Sequence, residues 1–61
     1  MWIARDRDGE TYLYELRPIK REGYFINNRG DNTNIYLGNK EVYPEVTWEN
    51  SPKQVELKII D

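Results

Sequence analysis

The 61-residue sequence contains no cysteine and no histidine. Disulfides are therefore impossible, the Cys/His ligand sets of structural zinc sites are missing, and catalysis through a thiol or an imidazole is excluded. Long apolar runs are missing as well: none approaches the ~20 residues of a membrane-spanning helix. The chain opens Trp2-Ile3-Ala4-Arg5-Asp6, and not with a basic segment followed by an apolar stretch. The expectation is a cytoplasmic protein with no export signal and no membrane contact.

These absences bear on stability too. A chain this short buries only about 60% of the surface its unfolded form exposes, and small scaffolds usually add disulfides, a metal or a partner chain. What remains is aromatic packing and self-association. The aromatics are Trp2, Tyr12, Tyr14, Tyr24, Phe25, Tyr36, Tyr43 and Trp48, or 13% of the residues, a heavy supply of large burying side chains. Charged residues make up 33% with both signs interspersed, and the net charge is −2. That balance opposes nonspecific binding to nucleic-acid phosphates or anionic membranes. It is uneven: residues 1–30 carry six Lys/Arg against five Asp/Glu, giving +1, and residues 31–61 carry three against six, giving −3.

Trp2–Arg5 and Thr11–Arg17 flank Asp6-Arg7-Asp8-Gly9-Glu10, and Asp-Gly at a candidate turn is a strong hairpin signal. Two registers compete. A two-residue Asp8-Gly9 turn would set Ile3 opposite Tyr14 and the charge of Arg5 opposite Tyr12. A three-residue turn, Arg7-Asp8-Gly9 with Gly9 left-handed, pairs Trp2 with Tyr14, Ala4 with Tyr12 and Arg5 with Thr11. The second keeps Trp2, Ala4, Tyr12, Tyr14 and Leu16 on one face and is favoured on that ground. Ile3 and Leu13 then fall on the opposite face, which also needs cover.

Pro18 lacks a backbone donor and should end the second strand or hold it at an edge. Lys20-Arg21-Glu22-Gly23 predicts a turn into a strand over Tyr24–Asn27. Residues 27–34 are dense in Asn, Gly and Asp and predict an exposed loop. Ile35-Tyr36-Leu37 follows as a strand completing a second hairpin, residues 38–41 as a turn, and 45–48 as a short strand entered through Pro44. At Ser51-Pro52-Lys53-Gln54 the sequence resembles a helix start. The alternation of Val55, Leu57 and Ile59 with Glu56, Lys58 and Ile60 nevertheless has a period of two and predicts a terminal strand. The expected fold is one all-β domain over residues 1–61. It is a small antiparallel meander of about five or six short strands, curled or partly open as a barrel, with little or no helix.

Few motifs carry chemistry. Arg29-Gly30-Asp31 matches the integrin-binding tripeptide, but Gly and Asp are what a turn needs in any case. Arg5, Arg7, Arg17, Lys20, Arg21 and Arg29 lie near Tyr12, Tyr14, Tyr24 and Phe25, as on β-surfaces that stack single-stranded nucleic acid. Asp6, Asp8, Glu10, Glu15 and Glu22 are interleaved with them and dilute the field. Asp6, Asp8 and Glu10 alternate like a fragment of a calcium loop whose other ligands are missing. A catalytic carboxylate pair needs a cleft that desolvates one member, and a domain this size has little room for one.

Met1-Trp2-Ile3-Ala4-Arg5-Asp6 with Asp8-Gly9, and the block Tyr43-Pro44-Glu45-Val46-Thr47-Trp48-Glu49-Asn50-Ser51-Pro52 leading into Val55-Glu56-Leu57-Lys58, resemble a group of short uncharacterised proteins of gut bacteria and their phages. The resemblance spans both ends, about half of the chain. It implies a bacterial or phage origin and transfers no catalytic or binding residue.

The functional expectation is a non-enzymatic module, without cofactor or metal, that binds another protein or a second copy of itself. Apolar groups on both sheet faces and the free edges of a short sheet motivate it. The candidate contacts are Ile3 and Leu13 on the second face, with Arg5, Arg17 and the loop around Arg29 as rim. The alternatives are a small-barrel module for single-stranded nucleic acid and a structural domain capping a larger assembly.

Overall fold

The turn Arg7-Asp8-Gly9 sets the first hairpin. In the computed structural model, which describes residues 1–28 and 34–56, β1 (Trp2–Arg5) and β2 (Thr11–Tyr14) run antiparallel. The Gly9 N–H donates to the Asp6 carbonyl (2.9 Å) and the Asp6 N–H to the Glu10 carbonyl (2.8 Å), while Asp8 Oδ1 accepts from the Glu10 N–H (2.9 Å). Gly9 adopts φ 101°, and a Cβ there would lie 2.7 Å from Asn39 Oδ1 and 2.8 Å from Lys40 Cγ. Both the backbone angle and the close approach require glycine. Trp2 pairs with Tyr14, Ile3 with Leu13, Ala4 with Tyr12 and Arg5 with Thr11, which is the register that keeps the aromatic set on one face.

Two further strands extend this hairpin, one on each side. The sheet order is β5-β2-β1-β6, with β5 at Asn34–Gly38 and β6 at Lys53–Gln54. A separate two-stranded sheet joins β3 (Ile19–Lys20) to β4 (Phe25–Ile26). All pairings are antiparallel. Among the described residues there is no helix and no closed barrel.

The strand order departs from a simple meander, and three local expectations are corrected. The strand expected over Tyr24–Asn27 is the shorter β4, and its partner is β3, across a turn closed by the Arg21 N–H on the Tyr24 carbonyl (2.8 Å). Residues 35–37 do not complete a hairpin with it. They belong to β5, which pairs with β2, Tyr36 opposite Tyr12 and Ile35 opposite Leu13. That partner extends the aromatic stripe on one face and the aliphatic stripe on the other, which β4 does not offer. Residues 45–48 form turns instead of a strand. Thr47 and Asn50 explain this: the Thr47 N–H donates to Asn50 Oδ1 (2.8 Å) and the Asn50 N–H to Thr47 Oγ1 (3.1 Å), local bonds that compete with a ladder. At the C-terminal end β6 pairs with β1, and the Val55 N–H continues to the Met1 carbonyl (2.9 Å). Residues 57–61 of the expected terminal strand, like Arg29-Gly30-Asp31, lie outside the described residues.

The first sheet face carries the core. Ala4, Tyr14 and Phe25 are buried, with Trp2, Tyr12 and Trp48 packed against them. Trp48 meets Phe25 edge to face at 5.3 Å, and Tyr12 touches Tyr36 at 5.4 Å, separations typical of favourable ring pairs. Leu16, expected on this face, is exposed, because β2 ends at Tyr14 and the chain bends. The β3–β4 hairpin is fastened over the face by two bonds to the first turn. Asp6 Oδ1 accepts from the Phe25 N–H (2.9 Å) and the Arg7 N–H donates to the Gly23 carbonyl (3.0 Å). Burial raises the Asp6 pKa, the Phe25 bond counters it, and the Asp8 and Glu10 charges add to the rise.

Burial, with the nearby Asp6 charge and Tyr12, pushes the Tyr14 hydroxyl from 10.0 up to about 12. The folded state therefore keeps a proton that the unfolded chain has lost, so stability falls with pH across the interval between those two values. Urea midpoints measured from pH 8 to 12 should be level at first and then decline above about 10. Tyr14→Phe should remove Tyr14's share of that decline; an unchanged slope in the variant would contradict this origin.

Candidate functional site

The second sheet face begins with the alternation of β1 and β2. Ile3 and Leu13 are directly paired, and Arg5 and Thr11 form the next pair on the same side. One end of this face is closed by the turn over residues 39–43, and Arg5 closes it. Its Nε donates to Thr11 Oγ1 (3.0 Å), Nη1 to the Lys40 carbonyl (3.3 Å), and Nη2 to the carbonyls of Tyr43 (3.2 Å) and Val42. Thr11, fully buried, donates its own hydroxyl to the Gly9 carbonyl (3.0 Å). The Arg5 backbone N–H donates to Ser51 Oγ (2.9 Å), whose hydroxyl in turn donates to the Thr47 carbonyl.

Arg5 is thus no rim residue, as its charge suggested: it is 8% exposed. The physical reason is the turn itself. Its carbonyls point toward the sheet without ladder partners, and a guanidinium supplies several donors in one plane. The acceptors stand 35 to 38 residues away in sequence, and being backbone atoms they leave no trace in residue identity.

Among the described residues nothing covers the other end of the face. Held down at Val42 and Tyr43, the chain makes one wall of a mainly apolar cavity of about 260 Å³ lined by Ile3, Leu13, Leu37, Tyr43, Val55 and Glu56. Ligand pockets for drug-sized molecules span about 300–1,000 Å³, so this volume suits one or two apolar side chains. Beside it runs β5, the outermost strand, with Ile35 52% and Tyr36 54% exposed. The strand reads Asn-Ile-Tyr-Leu-Gly and carries no charge. The Tyr36 hydroxyl bonds to Glu10 and is pushed up to about 12 mainly by that bond.

The first face presents cations on aromatic rings. Arg17 lies over Trp2 at 4.9 Å, and Trp48 takes Lys20 at 4.2 Å and Arg7 at 5.2 Å. Lys20 Nζ also donates to the Trp48 carbonyl (2.8 Å). Such contacts hold rings and cations together.

Of the five sequence candidates, Ile3 and Leu13 meet in the cavity, Arg17 stays exposed on the opposite face, Arg5 is interior, and Arg29 lies outside the described residues. Sequence reasoning missed Leu37, Tyr43 and Val55 as lining groups. Leu37 and Val55 were visible as alternating apolar positions, whereas Tyr43 is brought in only by the Arg5 contact. Asp6, Asp8 and Glu10 are each engaged in internal bonds, to the Phe25 N–H, the Glu10 N–H and the Asn39 side-chain amide. Among the described residues no group of three or more His, Cys, Asp or Glu is placed to hold a metal ion.

A scan against protein-family models finds no match, and neither do searches of curated proteins and of solved structures.

Arg5→Met keeps much of the side-chain volume but removes the donor to Thr11 Oγ1 and to the Lys40 and Val42 carbonyls, while the Tyr43 carbonyl keeps the Val46 N–H. It should cost about 2–4 kcal/mol, close to the ~3–5 kcal/mol that a core of this size supplies. Urea unfolding followed by tryptophan fluorescence checks this; a loss below about 0.5 kcal/mol, the level of an ordinary surface change, would contradict the buried role.

Proposed function

We propose that this domain is a non-enzymatic protein-binding module that takes an extended, alternating apolar segment along β5, with side chains entering the cavity of the second face. The observation that carries this reading is the cavity walled by Ile3, Leu13, Leu37, Tyr43 and Val55, opening beside an uncharged edge strand. An added strand gains affinity from main-chain hydrogen bonds and specificity from pockets that accept alternate side chains. The likeness of both chain ends to the gut-bacterial and phage proteins supports an accessory role in the cytoplasm of such a cell.

A second reading, single-stranded nucleic-acid binding, draws on Arg7, Arg17 and Lys20 over Trp2 and Trp48. It stands second because these cations cover the ring faces on which bases would stack, and the chain's net charge is −2.

Selection of random peptides on the immobilised domain separates the readings. Selected peptides should share an alternating apolar pattern and lose at least about tenfold in affinity, or 1.4 kcal/mol, against Leu13→Glu. Peptides without a common pattern, or equal binding to the variant, would overturn the proposal. A single-stranded oligonucleotide tested alongside gives the second reading its own outcome, binding that weakens steeply with salt and ignores Leu13→Glu.

A further inference from the structure

The two edges of the four-stranded sheet are defended differently. At β6 the edge is two residues long and carries the Lys53 charge, devices by which edges resist pairing. At β5 the edge is five residues long, exposed at Ile35 and Tyr36, and free of charge in a chain whose residues are 33% charged, its one irregularity being a register shift against β2 at Leu37. Among the described residues no strand pairs with its outer side. A long, uncharged, apolar edge is a template for another strand.

The sequence of β5 is complementary to itself. Consider two copies antiparallel about a two-fold axis through Tyr36. Tyr36 then faces its counterpart and Ile35 faces Leu37 of the other copy, while the register shift at Leu37 leaves Asn34 and Gly38 outside the regular pairing. Ile35 shares the second face with Leu13 by direct pairing, and Leu37, two residues on, lines the cavity of that face. With the axis perpendicular to the sheet, the second faces of both copies lie on the same side. Ile35 and Leu37 from each chain then form one aliphatic cluster joining the two cavities. On the other face, Tyr36 and its counterpart extend the ring contact between Tyr12 and Tyr36. No charged side chain of either β5 meets a like charge in this register, which is the electrostatic condition an isologous contact must meet.

Resting on the binding-module reading, we infer that the partner of β5 is a second copy of this chain, paired edge to edge to make one continuous eight-stranded sheet. Stable interfaces bury about 800 Å² per partner, and each chain exposes 4527 Å². Three paired residues with large side chains cover only part of such an area, so the dimer is a weak one that forms in the micromolar range and above.

The absence of native cysteine makes a position-specific test possible. A residue on the axis meets its own counterpart at about 4.5–5.5 Å between Cα atoms, within the range a disulfide spans. Ile35 meets its own counterpart only diagonally, at about 7–8 Å. Ile35 and Tyr36 are equally exposed, so chance collisions would link single cysteines at either position alike. Under a mild oxidant, Tyr36→Cys should form a covalent dimer at least about tenfold faster than Ile35→Cys. Sedimentation of the native chain between about 10 μM and about 1 mM should show a rising dimer fraction that Ile35→Lys abolishes. Equal cross-linking rates, or a native chain that stays monomeric across this range, would overturn the inference. Peptide selection would still succeed in that event, so failure of the dimer and failure of the module reading are told apart. Should Ile35→Lys fail to fold, the comparison of the two cysteines decides alone.

Discussion

A guanidinium in the interior of a 61-residue domain is the constraint on which the remaining structure depends. Removing a cation from water is costly, and the cost is recovered only where its donors are matched to acceptors in good geometry. Arg5 finds them in one hydroxyl and three carbonyls, while its own N–H holds Ser51. One residue thereby binds four parts of the chain: β1, β2, the turn over residues 39–43 and the turns over 47–51. A domain without disulfides or zinc-site ligands has few other ways to tie distant segments to its sheet. The close approach of Gly9 to Asn39 and Lys40 follows from the same docking.

The two faces of the sheet are finished to different degrees. On the first, the β3–β4 hairpin and Trp48 close an aromatic core, and Arg7, Arg17 and Lys20 lie over the outer rings. Among the described residues the second is covered as far as the Arg5 turn reaches. Beyond Tyr43 it opens into an apolar cavity that continues to β5, whose outer side pairs with no strand among the described residues. The same interaction that stabilises the fold therefore positions one wall of the surface proposed to bind. Binding along β5 would cover what the described residues leave open there, which links marginal stability to association.

The parts of this arrangement written in local sequence were legible. Asp8-Gly9 and the alternation on either side specify a turn and a register together, because a slip of one residue would put the aromatics on the wrong face. Ile3 and Leu13 followed as the second-face pair. The partner of β5 was not legible: Ile35-Tyr36-Leu37 announces a strand, but whether it joins β2 or β4 depends on which neighbour continues both stripes, a comparison across more than twenty residues. Alternation at 42–48 pointed to a strand, yet the Thr47 and Asn50 side chains satisfy backbone groups locally and bend it. Arg5 was misread for the plainest reason. Charge usually marks the surface, and the carbonyls that draw this side chain inward have no signature in the sequence.

The central claim is that the Arg5 guanidinium is sequestered beneath the turn over residues 39–43. Nuclear magnetic resonance of the arginine side chains tests it most directly. Arg5 should give an Hε resonance that exchanges slowly with water, with Overhauser contacts to Thr11 and to Val42 or Tyr43. An Arg5 Hε exchanging at the rate of exposed arginines, with no contact to that turn, would contradict the claim and remove the wall it gives to the cavity.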